Sequence, residues 1–149
     1  MQESAASSEQ MFLAIGGGAL KHWRCAPEFF LRSGACLRQA RRMKDCLHAE
    51  VGPSDGLLLS YTAWRDAEAM QRFARSGAHR RAVQRMPALV AWFEFHHFTA
   101  ETLPPFAEAL SRWRRATGRG AGVQRVGVQV CSGSGKLRDI AIHSARQRP

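Results

Sequence analysis

Hydrophobic side chains recur along this chain at two spacings, and the spacing changes from one segment to the next. Apolar runs and alternating residues predict four strands, and repeats of three and four residues predict helices between them. The predicted strands cover residues 11–15, 46–51, 57–64 and 92–99, and the two main predicted helices cover residues 27–43 and 66–86. A third short helix is predicted after Pro104 and Pro105, with Phe106, Leu110 and Trp113 on its apolar side. The order is therefore β-α-β-β-α-β followed by a helix.

Single residues mark where these elements begin, bend and end. Asp66 suits the N-cap of the second helix, because its carboxylate can accept a hydrogen bond from a free backbone amide. Gly77 is predicted to bend or interrupt that helix, and Pro87 is predicted to end it. Gly16-Gly17-Gly18 lacks the spacing of a dinucleotide-binding loop and is predicted to be a turn that ends the first strand.

This order of elements predicts the fold class. It is the split βαβ arrangement of ferredoxin-like α+β folds. One face of the sheet should pack against the two main helices, and the other would be left bare although it carries aromatic residues such as Trp92 or Phe93. An exposed apolar face needs a partner, and a second copy of the chain is the simplest one. We therefore expect a homodimer in which two sheets enclose a barrel.

Composition places the chain among ordinary globular proteins. Its 149 residues are 45% hydrophobic and 23% charged, which suits one domain with a real core. Residues 1–10 are polar, so we expect a disordered N-terminus without a secretory signal, and a cytoplasmic location without a membrane span. The four cysteines are scattered, which favours free thiols over disulfides or a bound metal.

The net charge of +10 is concentrated at one end of the chain. Residues 1–111 carry 13 basic and 11 acidic side chains, whereas residues 112–149 carry nine basic side chains and one acidic side chain, Asp139. We therefore divide the chain into residues 1–10, a domain over residues 11–115, and a basic glycine-rich tail over residues 116–149. Alternating valines in the tail allow a weak hairpin, although a disordered extension is equally compatible. Nucleic acid is an unlikely partner, because only the tail could bind it.

His79 is the first candidate for chemistry. It follows Ser76-Gly77-Ala78, where the helix is predicted to break, and a broken helix can direct an imidazole into a cavity. There it could serve as an acid, a base or a ligand. The alternative is a histidine that packs or caps at the bend.

The last predicted strand supplies the other candidates. Successive side chains of a strand point to opposite faces, so Trp92, Glu94, His96 and Phe98 share one face, and Phe93, Phe95, His97 and Thr99 share the other. Aromatic rings beside a few polar groups suit an apolar ring-shaped ligand. The alternative is a half-buried strand whose polar residues meet solvent.

One stretch of the chain resembles a known family. Ala63-Trp64-Arg65-Asp66-x-Glu68-Ala69-Met70-x-x-Phe73, followed by Ser76-Gly77-Ala78-His79-x-x-Ala82, is similar to antibiotic biosynthesis monooxygenase-like and spheroidene monooxygenase-like proteins of the dimeric α/β-barrel superfamily. The resemblance covers about residues 11–115. It implies a homodimer with a pocket between sheet and helices in each subunit. Some relatives oxygenate polycyclic phenols without a cofactor, and others bind haem.

The resemblance and the residues together predict a small-molecule monooxygenase that acts on an apolar or aromatic substrate. The catalytic candidates are His79, carried over from the motif, and His96. The substrate-binding candidates are Trp64, Trp92, Glu94 and Phe95. No cofactor is assigned, although haem is possible, and no metal site is predicted. Two alternatives stay open, a non-catalytic dimeric binding protein of the same fold and a nucleic-acid-associated protein that uses the basic tail.

Overall fold

The computed structural model describes residues 9–54 and 56–119, and the backbone of two further strands. The strands are β1 (Met11–Leu20), β2 (Cys46–Ser54), β3 (Leu57–Trp64), β4 (Val90–Ala100), β5 (Val128–Cys131) and β6 (Leu137–Ile140). The helices are α1 (Ala26–Arg42), α2 (Ala67–Ala74), α3 (Gly77–Leu89) and α4 (Phe106–Thr117). No helix within the described ranges is long and apolar enough to cross a membrane. Residues 1–8 of the predicted disordered N-terminus, and residues 120–127, 132–136 and 141–149 of the predicted tail, lie outside these ranges.

The strands form one open sheet in the order β2-β3-β1-β4-β5-β6. The first four are antiparallel, with β1 in the centre, where Ile15 pairs with Tyr61 on β3 and with His96 on β4. β5 runs parallel to β4, and β6 returns antiparallel to β5. The order of the first four strands, with α1 and the α2–α3 pair as the connections, confirms the predicted ferredoxin-like α+β fold.

The predicted turn at Gly16-Gly17-Gly18 is wrong, because β1 continues through all three residues to Leu20. Glycine is needed at these positions because neighbouring aromatic rings leave no room for a side chain. A Cβ atom on Gly16 would lie 2.6 Å from ring carbons of Phe93 and Phe95, and one on Gly17 would lie 2.7 Å from the ring of Trp113. The glycines thus let aromatic rings lie directly on the central strand from both sides of the sheet.

The N-terminus and the break of the second helical segment are where the sequence predicted them. The Asp66 carboxylate accepts a hydrogen bond from the amide of Ala69 at 2.7 Å, and this caps α2. α2 ends at Ala74, and α3 begins at Gly77 with a φ of 54°. Pro87, however, does not end the helix, since α3 extends to Leu89 and includes Pro87 in its last turn.

Helices cover both faces of the sheet. The first, called here the cavity face, packs against α1, α2 and α3. The opposite face carries α4, whose Trp113 is fully buried and whose Leu110 is nearly so, against Leu13, Ile15 and Trp92. The expectation of a bare second face is therefore wrong, because the chain covers the middle of that face with its own helix. A bare face can therefore no longer be used as an argument for the homodimer, which stays a prediction.

Candidate active site

A cavity of about 750 Å³ lies between the cavity face of the sheet and the helices α1, α2 and α3. Its lining is mostly apolar and includes five phenylalanines, which are Phe29, Phe30, Phe73, Phe93 and Phe95. The polar groups on its sheet side are few, namely Ser60, Thr62 and His97. An apolar cavity with a few polar groups is the usual form of a small-molecule site.

The central strand makes the floor of this cavity flat and aromatic. Because Gly16 has no side chain, the rings of Phe93 and Phe95 lie over it, with their centroids 5.0 Å apart. His97 continues this row, stacked on Phe95 at 6.4 Å with an angle of 15° between the rings. Alternate residues of β4 thus form a line of three rings, against which a planar molecule could stack.

His79 lies in the first turn of α3 and lines the cavity. Its Nδ1 is 3.1 Å from the carbonyl oxygen of Ala74, and its ring lies 4.5 Å from that of Phe73. Burial lowers the pKa of His79, so the neutral imidazole is favoured. Since a carbonyl oxygen can only accept a hydrogen bond, the neutral ring must carry its proton on Nδ1. Nε2 then keeps its lone pair, and within the described residues it has no partner.

Gln39 holds His79 in place, and sequence reasoning did not identify it. Its side-chain amide donates to the carbonyl oxygens of Phe73 and Ser76, at 3.3 and 3.1 Å, and its Oε1 accepts from the backbone amide of His79 at 2.9 Å. One side chain on α1 therefore joins the end of α2 to the start of α3. A Cβ atom on Gly77 would come within 2.9 Å of that Oε1, so glycine at this position leaves room for the Gln39 side chain.

His97 is the second imidazole of the cavity, and it too was absent from the predicted site residues. Its pKa is lowered by burial and then by the charge of His96, so this ring is also neutral near pH 7. It packs between Phe12 and Phe95, with centroid distances of 5.6 and 6.4 Å. The alternation along β4 placed it on the face of Phe95, but only the packing of helices onto that face shows that it lines a cavity.

The structure does not bring all predicted site residues together. Phe95 and His79 line the cavity, whereas Trp92, Glu94 and His96 lie on the opposite face, beside α4. Trp64 is on the cavity face but is fully buried, 4.8 Å from the ring of Phe73. Its Nε1 donates to Thr62 Oγ1 at 2.9 Å, so Trp64 orients a hydroxyl group of the cavity without lining it.

The residues of the opposite face have structural partners. Glu94 forms a two-point ion pair with Arg119, at 2.8 and 3.1 Å, and the Arg119 guanidinium lies 3.6 Å above the ring of Trp92. The Glu94 carbonyl also accepts a hydrogen bond from Trp113 at 2.9 Å. His96 stacks on Phe98 at 5.7 Å. These contacts fasten α4 and Arg119 to β4.

The remaining candidates for cofactor or metal chemistry are few. Burial raises the pKa of the Cys36 thiol, which lines the cavity, to about 11, so the thiol is protonated and a weak nucleophile. Within the described residues no three potential metal ligands come together. If haem were bound here, an imidazole of the cavity, His79 or His97, would hold its iron.

Comparisons with known proteins agree with this architecture. No protein-family model matches the chain, and no curated protein matches it. Solved structures do match. They include a conserved protein of Methanosarcina mazei Go1, at a TM-score of 0.56 and 13% identity over 61% of this chain and 93% of its own.

Two further matches are proposed antibiotic biosynthesis monooxygenases. The protein from Deinococcus radiodurans has a TM-score of 0.54 and 15% identity, over 64% of this chain and 97% of its own. The protein from Nitrosomonas europaea has a TM-score of 0.54 and 12% identity, over 64% of this chain and 92% of its own. The chain shares the fold of these two proposed monooxygenases. The resemblance inferred from the sequence is thereby confirmed at the level of the fold.

Proposed function

We propose that this chain is a small-molecule monooxygenase that binds an apolar, ring-shaped substrate in the cavity between the sheet and helices α1–α3. The observation that carries the proposal is the cavity itself. It combines five phenylalanine rings with two neutral imidazoles, His79 and His97. The fold shared with proposed monooxygenases supports the same class of reaction.

The substrate would stack on the rings of Phe93 and Phe95, with its acidic C–H or O–H group directed at His79. Nε2 of the neutral His79 would accept that proton, because Nδ1 is already protonated and bound to the Ala74 carbonyl. The depressed pKa keeps this nitrogen unprotonated near neutral pH, which a general base needs. Gln39 would be a positioning residue, since it fixes the backbone of His79.

The reaction proposed for an anthrone-type substrate needs no electrons besides those of the substrate. After deprotonation, the ring carbon reacts with molecular oxygen. A CH₂ group and O₂ become a C=O group and water, so the carbon loses four electrons, and the dioxygen gains four while its O–O bond breaks. The two hydrogens of the CH₂ group leave in the water. The protein's part is to bind the ring, remove the first proton and keep bulk water away from the intermediate.

Oxygen consumption by the purified protein with a panel of anthrones and quinols tests this function. We expect uptake that falls by about 10²–10⁴-fold in the His79→Ala variant, the usual contribution of a general base. His96→Ala is the matched control, because His96 lies on the other side of the sheet. Wild-type rates for His79→Ala would remove His79 from the mechanism, and a selective loss for His96→Ala would remove the cavity. Ligand binding without oxygen uptake would favour the non-catalytic binding protein.

An absorption spectrum after addition of haem addresses the cofactor. A Soret band that His79→Ala abolishes would show that His79 holds the haem iron instead of acting as a free base. If added haem gives no Soret band and the protein still consumes oxygen, the cofactor-free reaction is supported. Sedimentation velocity of the same preparation tests the proposed homodimer.

A further inference from the structure

The charges around the cavity have a single sign. Among the described residues that line it, the charged side chains are Arg32, Arg75 and Arg80, and no aspartate or glutamate is included. The formal charges on its described lining are therefore all positive. Such a site disfavours cationic ligands and favours anionic ones.

Two of these three arginines are available to a ligand. Arg32 is already engaged, since Glu28 accepts from it at 2.8 Å, and Arg85 and Arg32 together lower the pKa of Glu28 to about 2. The side chains of Arg75 and Arg80 are exposed, and neither has an ion-pair partner within the described part of the chain. The other described carboxylates that could reach the cavity helices are engaged too: Asp45 binds Arg65 and Arg72, and Glu68 binds Arg72.

Arg75 and Arg80 also flank the candidate base. Arg75 is the C-cap of α2, and Arg80 follows His79 directly in the first turn of α3, so both lie close to the break between the two helices. Because they line the cavity and remain exposed, they lie at its mouth.

We propose that the cavity selects an apolar ring system carrying one anionic group, a carboxylate or a sulfonate, which Arg75 and Arg80 bind at the mouth while the rings enter. This inference rests on the proposed function, because it describes the substrate class of the same cavity. Guanidinium groups suit the assignment, since two of their planar N–H donors can bind two oxygens of a carboxylate or a sulfonate.

Two fluorescent probes with the same rings test this selection. 8-Anilinonaphthalene-1-sulfonate carries one sulfonate, and N-phenyl-1-naphthylamine is the same ring system without it. We expect the sulfonate to bind the wild-type protein about tenfold more tightly at low salt. Added sodium chloride should reduce that preference, because exposed charges are screened. The Arg75→Gln/Arg80→Gln variant should lose the preference and keep its affinity for the neutral probe.

The Arg42→Gln/Arg115→Gln variant is the control, since it removes the same charge at two exposed positions that do not line the cavity. An equal loss of preference in this control would show that the net charge is responsible and would overturn the proposal. Equal binding of the two probes by the wild type would also overturn it, but would leave the cavity as a ligand site. Binding of neither probe would contradict the proposed function itself.

Discussion

Replacing Gly17 by alanine tests how α4 is held on the sheet. The added Cβ atom would lie 2.7 Å from Leu59 Cδ2, and 2.7 and 2.8 Å from two ring carbons of Trp113. Ordinary carbon contacts are about 3.5–4.0 Å, so the ring must move by about 1 Å. It has little freedom to do so, because Trp113 is fully buried and its Nε1 donates to the Glu94 carbonyl at 2.9 Å.

Two opposing effects set the change in the free energy of unfolding that Gly17→Ala causes. Overpacking a buried site typically costs about 1–3 kcal/mol, and the rigid, hydrogen-bonded ring places Gly17→Ala near the upper value. In the other direction, replacing a strand glycine by alanine stabilises the folded state by about 0.5–1 kcal/mol. We therefore expect the free energy of unfolding to fall by about 2 kcal/mol. For a chain of this size that corresponds to a melting temperature lower by about 4–8 °C.

Urea denaturation followed by tryptophan fluorescence measures the effect, and Gly34→Ala is the matched control. Among the described residues, a Cβ atom on Gly34 would meet only the Arg38 guanidinium, at 3.5 Å, so alanine in this helix should stabilise the protein by about 1 kcal/mol. Trp113→Phe should relieve the clash, so the double variant with Gly17→Ala should lose less stability than the two single variants added together. A neutral Gly17→Ala variant, or strictly additive costs, would refute the packing of α4 on β1.

Three further outcomes are expected. Asp66→Ala should lower the free energy of unfolding by about 1 kcal/mol and Asp66→Asn by much less, which thermal denaturation would show; equal losses would contradict the N-cap role. Glu94→Gln should cost about 3 kcal/mol in urea denaturation, because it leaves the Arg119 charge buried without its partner, and a loss below 1 kcal/mol would contradict that pairing. Stability should fall as the pH decreases below about 6.5. The unfolded chain then binds protons at His79 and His97, whereas these half-buried rings have lowered pKa values in the folded chain. The His79→Gln/His97→Gln variant should show a weaker fall over that range, and an unchanged fall would contradict the assignment.

Local signals were sufficient for much of the fold. The Asp66 cap and the break at Gly77 depend on a carboxylate beside free amides and on a residue that tolerates a positive φ, and both properties are visible in the residue itself. β3 has the predicted bounds, because a continuous apolar run between turn residues has few other stable conformations.

The predictions that failed depended on distant neighbours. Gly16-Gly17-Gly18 has the composition of a turn, yet it forms strand because rings from β4 and α4 occupy the space that side chains would need. Alternation along β4 separated its residues correctly into two faces. It could not show which face meets a cavity, and so Glu94 and His96 were grouped with His79 although they lie across the sheet.

The sequence alone determined the order and type of the main elements, because periodicity, caps and helix breaks act over a few residues. The tertiary structure decided what each face of the sheet contacts. α4 covers one face, and α1 to α3 enclose the cavity on the other, with Gln39 fixing His79 from another helix. Such contacts join residues about 40 to 100 positions apart, and no local pattern encodes them because they depend on how whole elements pack.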